Sequence, residues 1–220
     1  MLDYTAPDRR QVALVTVNAQ RDFVQAGSPL RACGCSLATP ALERLAAGFR
    51  EAGAPVFHAV RLYRPDGSNV DVFRRRAIEE GLRVLMPGTL GAELIDGLKP
   101  SPEVRLDSEK LLGGGFQRIG AREWIYYKPR WGAFHQTGLE DYLRKLEIST
   151  LVVCGCNFST SGRATVYEAG ARDFRVVLAT DALSGGYDEG FCELGRIGVY
   201  LMDATTCLSW LKAKPTCDAA

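Results

Sequence analysis

The sequence predicts a single α/β domain with three layers, α/β/α, around a mostly parallel central sheet. Five short apolar runs, rich in β-branched or aromatic residues, recur at 11–19, 55–63, 123–129, 150–155 and 175–182. Uninterrupted apolar character over so few residues is what a strand covered on both faces requires. Helical patterns fill most of the intervals, and strand, helix, strand in repetition gives parallel strands joined by right-handed crossovers. A length of 220 residues suffices for one complete core and is cramped for two, so one domain over 1–220 is expected.

In order along the chain, "QVALVTVNA" is the first strand. "TPALERLAAGFREAG" follows as a helix: Thr39 is placed to cap it, Pro40 suits its first turn, Leu42, Leu45, Ala46 and Phe49 share a face, and Gly53 stops it. "PVFHAVRLY" is the second strand. The segment 64–122 then breaks the rhythm with a short basic helix, a Pro-Gly turn, a helix expected at 91–98 and a Gly113-Gly114-Gly115 loop. An insertion of that length shapes an active site or a subunit contact. Its glycine triplet is no phosphate loop, because no strand leads into it and no Lys-Ser or Lys-Thr pair follows. "EWIYYKP", "GLEDYLRKLE", "TLVVCG", "GRATVYEAGARDF", "RVVLATDA" and "DEGFCELGRIGVYLM" then alternate strand and helix to the end.

Composition removes several classes of function. With 27 basic and 26 acidic residues the chain has no long-range field to draw a polyanion, so nucleic acid and anionic membrane are not expected partners. No run approaches the roughly 18 apolar residues of a membrane span, and "MLDYTAPDRRQ" has neither the charged nor the apolar part of a leader, so the expected location is the cytoplasm. Seven cysteines, an odd number with no export signal, argue against a disulfide framework. Cys33-Gly-Cys35 and Cys154-Gly-Cys156 each put one residue between thiols where zinc sites use roughly two to four. They read as small buried hydrophobes and loop thiols.

Ligands of open parallel sheets bind beyond the carboxyl ends of the strands. Asn18, Gln20, Arg21, Asp22 and Phe23 follow the first run, Lys128, Pro129, Arg130 and Trp131 the third, and a polar corner ending at Ser161 the fourth. An acid, an amine and a hydroxyl are thereby expected to converge. The motifs "ALVTVNAQRDF", "YKPRWGAF" and "LVVCGCNFSTSGRATVYEAGARDFRVVLATDA", in that order, closely resemble the isochorismatase-like cysteine hydrolase superfamily, which includes nicotinamidases, N-carbamoylsarcosine amidases and ureide hydrolases. The likeness extends over about 11–211.

That resemblance implies an isochorismatase-like, Rossmann-like fold, a homodimer or homotetramer, and hydrolysis of a C–N bond in a small amide, ureide or carbamoyl compound without metal or cofactor. It matches Asp22 to the general base and Lys128 to the catalytic lysine, and puts Ser161 where the amidases carry a cysteine nucleophile. It also implies a cis peptide joining Cys156 to Asn157, with the N–H groups of Asn157 and Ser161 forming an oxyanion hole. Cys156 itself takes a structural role by the same likeness. Phe23, Tyr63 and Trp131 are expected to wall the pocket, and Arg61 and Arg130 to grip a carbonyl or carboxylate.

The chain also departs from the family. It reads Ser159-Thr160-Ser161-Gly162 where a cysteine is expected, and its first strand ends Val17-Asn18 where an acidic residue is common. An aspartate with two histidines after the second strand, the metal pattern of nicotinamidases, is missing. A serine does not ionise near neutral pH as a thiol can, so it needs a positioned base. His58 lies within a strand and reads as a core histidine, and His135 stands at the edge of a helix start; neither is placed as a triad base. Three readings stay open: hydrolysis by an Asp-Lys-Ser constellation, vinyl-ether hydrolysis using Asp22 as acid beside Lys128, and a silent relative that binds a ligand or partner.

Overall fold

The computed structural model describes residues 3–213. Seven strands, β1 Val12–Val17, β2 Val56–Val60, β3 Phe116–Gly120, β4 Glu123–Tyr127, β5 Thr150–Gly155, β6 Arg175–Leu183 and β7 Tyr200–Met202, form one sheet in the order β3-β4-β2-β1-β5-β6-β7. All pairings are parallel except that of β3 with β4. The helices are α1 Arg21–Val24, α2 Cys35–Glu51, α3 Val72–Glu79, α4 Ser108–Leu112, α5 Leu139–Lys145, α6 Arg163–Gly170, α7 Asp188–Arg196 and α8 Ala204–Lys212. None is long and apolar enough to cross a membrane.

Alternation along β1 shows why its sequence is apolar throughout. Val12 and Leu14 pack with Leu42, Leu45 and Phe49 of α2 and Cys207 of α8. Ala13, Val15 and Val17 point the other way, into a cluster with Leu143 of α5, Val166 of α6 and Leu194 of α7. The same two-sided division holds for β5, where Leu151 and Val153 join one core and Val152 and Cys154 the other. Helices cover both faces, so neither set of side chains has a polar surface to meet.

Three local expectations are corrected. α2 begins at Cys35 rather than at Thr39, with Pro40 in its interior and the Thr39 hydroxyl donating to the Cys35 carbonyl at 2.8 Å. Burial of Cys35 and Ala38 carries the helix past the local start signals. The expected helix at 91–98 is two short 3-10 turns, Leu90–Ala92 and Asp96–Leu98, around a bridge between Leu94 and Gln20. Its backbone is captured by the chain leaving β1, with Ile95 N–H donating to Ala19 O at 3.1 Å and Arg21 N–H to Glu93 O at 2.9 Å. The last expected helix stops at Arg196, and Gly198, at φ 89°, releases the chain into edge strand β7. β3, within the segment 64–122, is half-exposed and lacks the apolar run that marks a central strand.

His58 is a satisfied core residue. Its Nδ1 lies 2.8 Å from Thr16 Oγ1 and its Nε2 2.6 Å from Glu123, which also receives Arg50 Nε at 2.7 Å. Burial alone would raise the Glu123 carboxyl, but the hydrogen bonds from Arg50 and His58 outweigh it and hold the group at about 2.

Candidate functional site

The carboxyl ends of β1, β4 and β5 bring three side chains together. Asn18 leaves β1 in the left-handed region, φ 51°, a conformation asparagine tolerates better than most residues, with its N–H held by Ala59 O at 2.9 Å. Lys128 leaves β4, its N–H on Val60 O at 3.0 Å. Ser161 lies in a turn of π-helix, Phe158–Gly162, that leads from β5 into α6. Gly155 permits that departure, because at φ 119° a Cβ would sit 2.2 Å from Val17 O.

Asn18 Nδ2 donates to both Ser161 Oγ and Cys156 O, each at 2.8 Å. The Cys156 carbonyl fixes which way the amide faces, since the flipped amide would set oxygen against oxygen. Asn18 therefore presents a donor to the serine, and its Oδ1 is buried without a partner. Lys128 Nζ reaches Arg130 O at 3.0 Å, Trp131 O at 2.9 Å and Ser161 Oγ at 3.3 Å. Complete burial pushes the lysine well below its ordinary range, and the Arg61 guanidinium pushes it the same way.

Asp22 does not join this group. Its Oδ2 accepts from Leu85 N–H at 2.6 Å, and the carboxylate lies so close to Gly91 that a Cβ there would be 2.2 Å from Oδ1. Among the described residues no hydrogen bond or ion pair links it to Lys128 or Ser161. The reason is geometric: Asn18 directly follows β1, whereas Asp22 lies one further turn on, in α1, which carries its side chain toward the segment containing Leu85 and Gly91. The side chain that meets the serine is thus Asn18. Its signal in the sequence was the polar residue standing where the family commonly has an acid.

The Cys156–Asn157 peptide is cis. Asn157 caps the following turn, its Oδ1 accepting from Thr160 Oγ1 at 2.6 Å. A cavity of about 120 Å³ lies against this corner, lined by Asn18, Phe23, Leu30, Ala32, Arg74, Cys156, Asn157 and Thr160. Ser161 and Lys128, 2 % and 0 % exposed, stand behind that wall, with Asn18 between cavity and serine. Phe23 lines this cavity.

Tyr63 and Arg61 are placed elsewhere. Both are buried in an ion-pair cluster, with Arg61 Nη2 at 2.5 Å from Asp71 Oδ2 and Tyr63 Oη donating to the same oxygen at 3.1 Å. Neither lines the cavity beside Asn18, and both polar groups are engaged with Asp71. Arg130 is exposed and Trp131 stacks on the exposed Phe73 ring, centroids 4.8 Å apart, so these two border surface hollows rather than the cavity.

Residues 116–193 match the model of the Isochorismatase domain. The "Probable inactive nicotinamidase" of Arabidopsis thaliana is 30 % identical over 196 residues, 86 % of this chain and 91 % of that protein. The chain belongs to the isochorismatase-like hydrolase family. A ureidoacrylate amidohydrolase of Methylorubrum extorquens is 25 % identical, across 80 % of this chain and 70 % of that enzyme. An isochorismatase family protein from Desulfovibrio vulgaris superposes with a TM-score of 0.77 at 29 % identity, covering 92 % of this chain and 99 % of that one. The fold of this family member is therefore the one its three motifs implied.

Proposed function

We propose that this family member hydrolyses a C–N bond in a small amide, ureide or carbamoyl compound, with Ser161 as nucleophile and Lys128 as the group that takes its proton. The supporting observation is the contact of Ser161 Oγ with a buried amine held by two carbonyls. An unprotonated lysine gives its two hydrogens to Arg130 O and Trp131 O and turns its lone pair to the serine O–H. Burial favours that neutral form, and Ser–Lys pairs can supply the base that histidine supplies elsewhere. Asn18 Nδ2 then stabilises the oxygen from which the proton leaves. Its unpartnered Oδ1, on a residue lining the cavity, suits an N–H of the ligand, which favours amides and ureides over esters or enol ethers. The cavity holds about four water volumes, enough for a few heavy atoms, and the wall at Asn18 and Thr160 must shift for the scissile carbon to reach Ser161. In this reading the N–H groups of Asn157 and Ser161 receive the developing oxyanion.

A second reading, a binding site without turnover, is favoured by two observations: the serine is recessed behind an amide where the reaction calls for a base, and a relative is described as inactive. The vinyl-ether reading has less support, because Asp22 accepts from Leu85 N–H and makes no contact with Lys128 among the described residues. Ammonia release across a panel of small amides, ureides and carbamoyl compounds decides between the first two. Turnover that rises with pH as Lys128 loses its proton, and that disappears in Ser161→Ala and Lys128→Met, supports hydrolysis. Saturable binding with no turnover in the wild type establishes the silent site.

A further inference from the structure

Two cysteines with no part in that chemistry face each other at the edge of the site. Cys35 is the first residue of α2, and Cys156 follows β5 directly. Their sulfurs are 2.7 Å apart, well inside the contact distance of two unbonded sulfurs and less than 1 Å beyond a bond length of about 2.05 Å. Both are buried, at 1 % and 2 % exposure, and both are free thiols.

Three segments fix the pair. Gly34, at φ 77°, turns the chain into α2, and its backbone sits so close to Gly185 N that a Cβ would lie at 3.2 Å. Ser184 Oγ, from the end of β6, is 3.2 Å from the Cys35 sulfur. The N–H of Cys156 is on Val17 O at 2.7 Å, and its carbonyl takes Asn18 Nδ2. These contacts fix the backbone positions from which the two sulfurs face each other. Cys156 also forms part of the wall of the 120 Å³ cavity, so a small oxidant there meets the pair from the Cys156 side, with the Cys35 sulfur directly behind it.

We infer that Cys35 and Cys156 are a redox modification site, oxidised by a hydroperoxide entering that cavity to a disulfide that pins the first turn of α2 to the catalytic corner. One sulfur attacks the peroxide as thiolate, breaking the O–O bond and forming a sulfenic acid with release of hydroxide. The partner thiol then attacks that sulfur, the S–O bond breaks, and the S–S bond forms as water leaves. The thiol proton neutralises the hydroxide, so two thiols and one hydrogen peroxide yield one disulfide and two waters. A dithiol reverses the change by exchange.

The local environment supplies the thiolate. Hydrogen bonding from Cys156 lowers the Cys35 thiol to about 7, helped by Ser184, while the shared proton and burial raise Cys156. The start of a 17-residue helix adds its favourable dipole. The other buried thiols lack this: burial raises Cys154 well above its usual value and Cys207 to about 12. Cys33 and Cys192 are exposed but have no thiol facing them among the described residues.

The inference is independent of turnover at Ser161, because its readouts are a covalent bond and a change in stability. The full-length protein is treated with hydrogen peroxide near stoichiometric amounts, free thiols are blocked, and non-reduced peptides are mapped by mass spectrometry. The expected result is a cross-linked peptide joining Cys35 to Cys156, a loss of two hydrogens in the intact mass, and a rise in Tm of roughly 5–10 °C that dithiothreitol abolishes. Cys35→Ser and Cys156→Ala should each remove the cross-link and the Tm rise. Cys33→Ser should keep both, and it guards against exchange with the neighbouring thiol. Oxidation confined to Cys33 and Cys192, or a cross-link to any other cysteine, overturns the inference, as does a Cys35–Cys156 bond that leaves Tm unchanged.

Discussion

Asn18 and Asp22 belong to one short motif, yet only Asn18 reaches the serine. An amide there holds Ser161 by donation and cannot accept its proton, so in the proposed hydrolysis the base is Lys128, a lysine stripped of solvent. The proposed hydrolysis can therefore be tested at this one position. Asn18→Asp combined with Ser161→Cys restores a carboxylate beside a thiol, a pairing whose proton can be drawn off near neutral pH. We expect the double variant to release ammonia from its best amide or ureide at least about 100-fold faster than wild type, and faster than the product of the two single effects. A double-mutant cycle on kcat/KM measures this. Equal rates across the four proteins would mean that Asn18 is not the residue limiting the serine.

At the scale of elements, the buried polar residues of β2 and β4 meet in a closed network. Glu123 of β4 is held at about 2, below its ordinary 4.5, by Arg50 of α2 and His58 of β2. A depressed carboxyl stabilises the fold above its unfolded value and loses that contribution as pH falls through the folded one. Unfolding free energy should therefore drop by up to about 3 kcal/mol between pH 4.5 and pH 2 from this group, and Glu123→Gln should flatten that acid limb while lowering stability at neutral pH. Urea titrations across pH test both. The β5 corner makes a second prediction. Gly155→Ala sets a methyl 2.2 Å from Val17 O in a left-handed backbone, and should cost about 3 kcal/mol or more. Gly170→Ala in α6, where a Cβ meets nothing within 4 Å, should be neutral or stabilise by about 0.4–1 kcal/mol.

Across the whole molecule, the sheet is a graded structure. β1 lies at its centre between β2 and β5, with a helical layer on each face, whereas β3 and β7 are half-exposed edges of 5 and 3 residues. Hydrogen exchange should follow that order: the amides of β1 and β5 open only with global unfolding, and those of β3 and β7 exchange by local opening. Equal protection in edge and centre would contradict this layering. The segment 64–122 belongs to the same scale. It supplies edge strand β3 as well as Arg74 on the cavity wall and Leu85 against Asp22.

The five central strands, most of the helices, the family and the meeting of three strand ends were legible in the residues, because two-sided burial writes itself as apolar runs and a parallel sheet gathers its chemistry at one end. Residues whose partners lie far along the chain were not legible. Asp22 rather than Asn18 looked like the site acid until the path of the chain turned its side chain to Leu85. Arg61 and Tyr63 looked ligand-facing until Asp71 claimed them, and nothing local announced that Cys35 would meet a thiol 121 residues away. Periodicity encodes which face of an element is buried, but contact between distant side chains depends on how the elements are arranged in space, and only the tertiary structure fixes that.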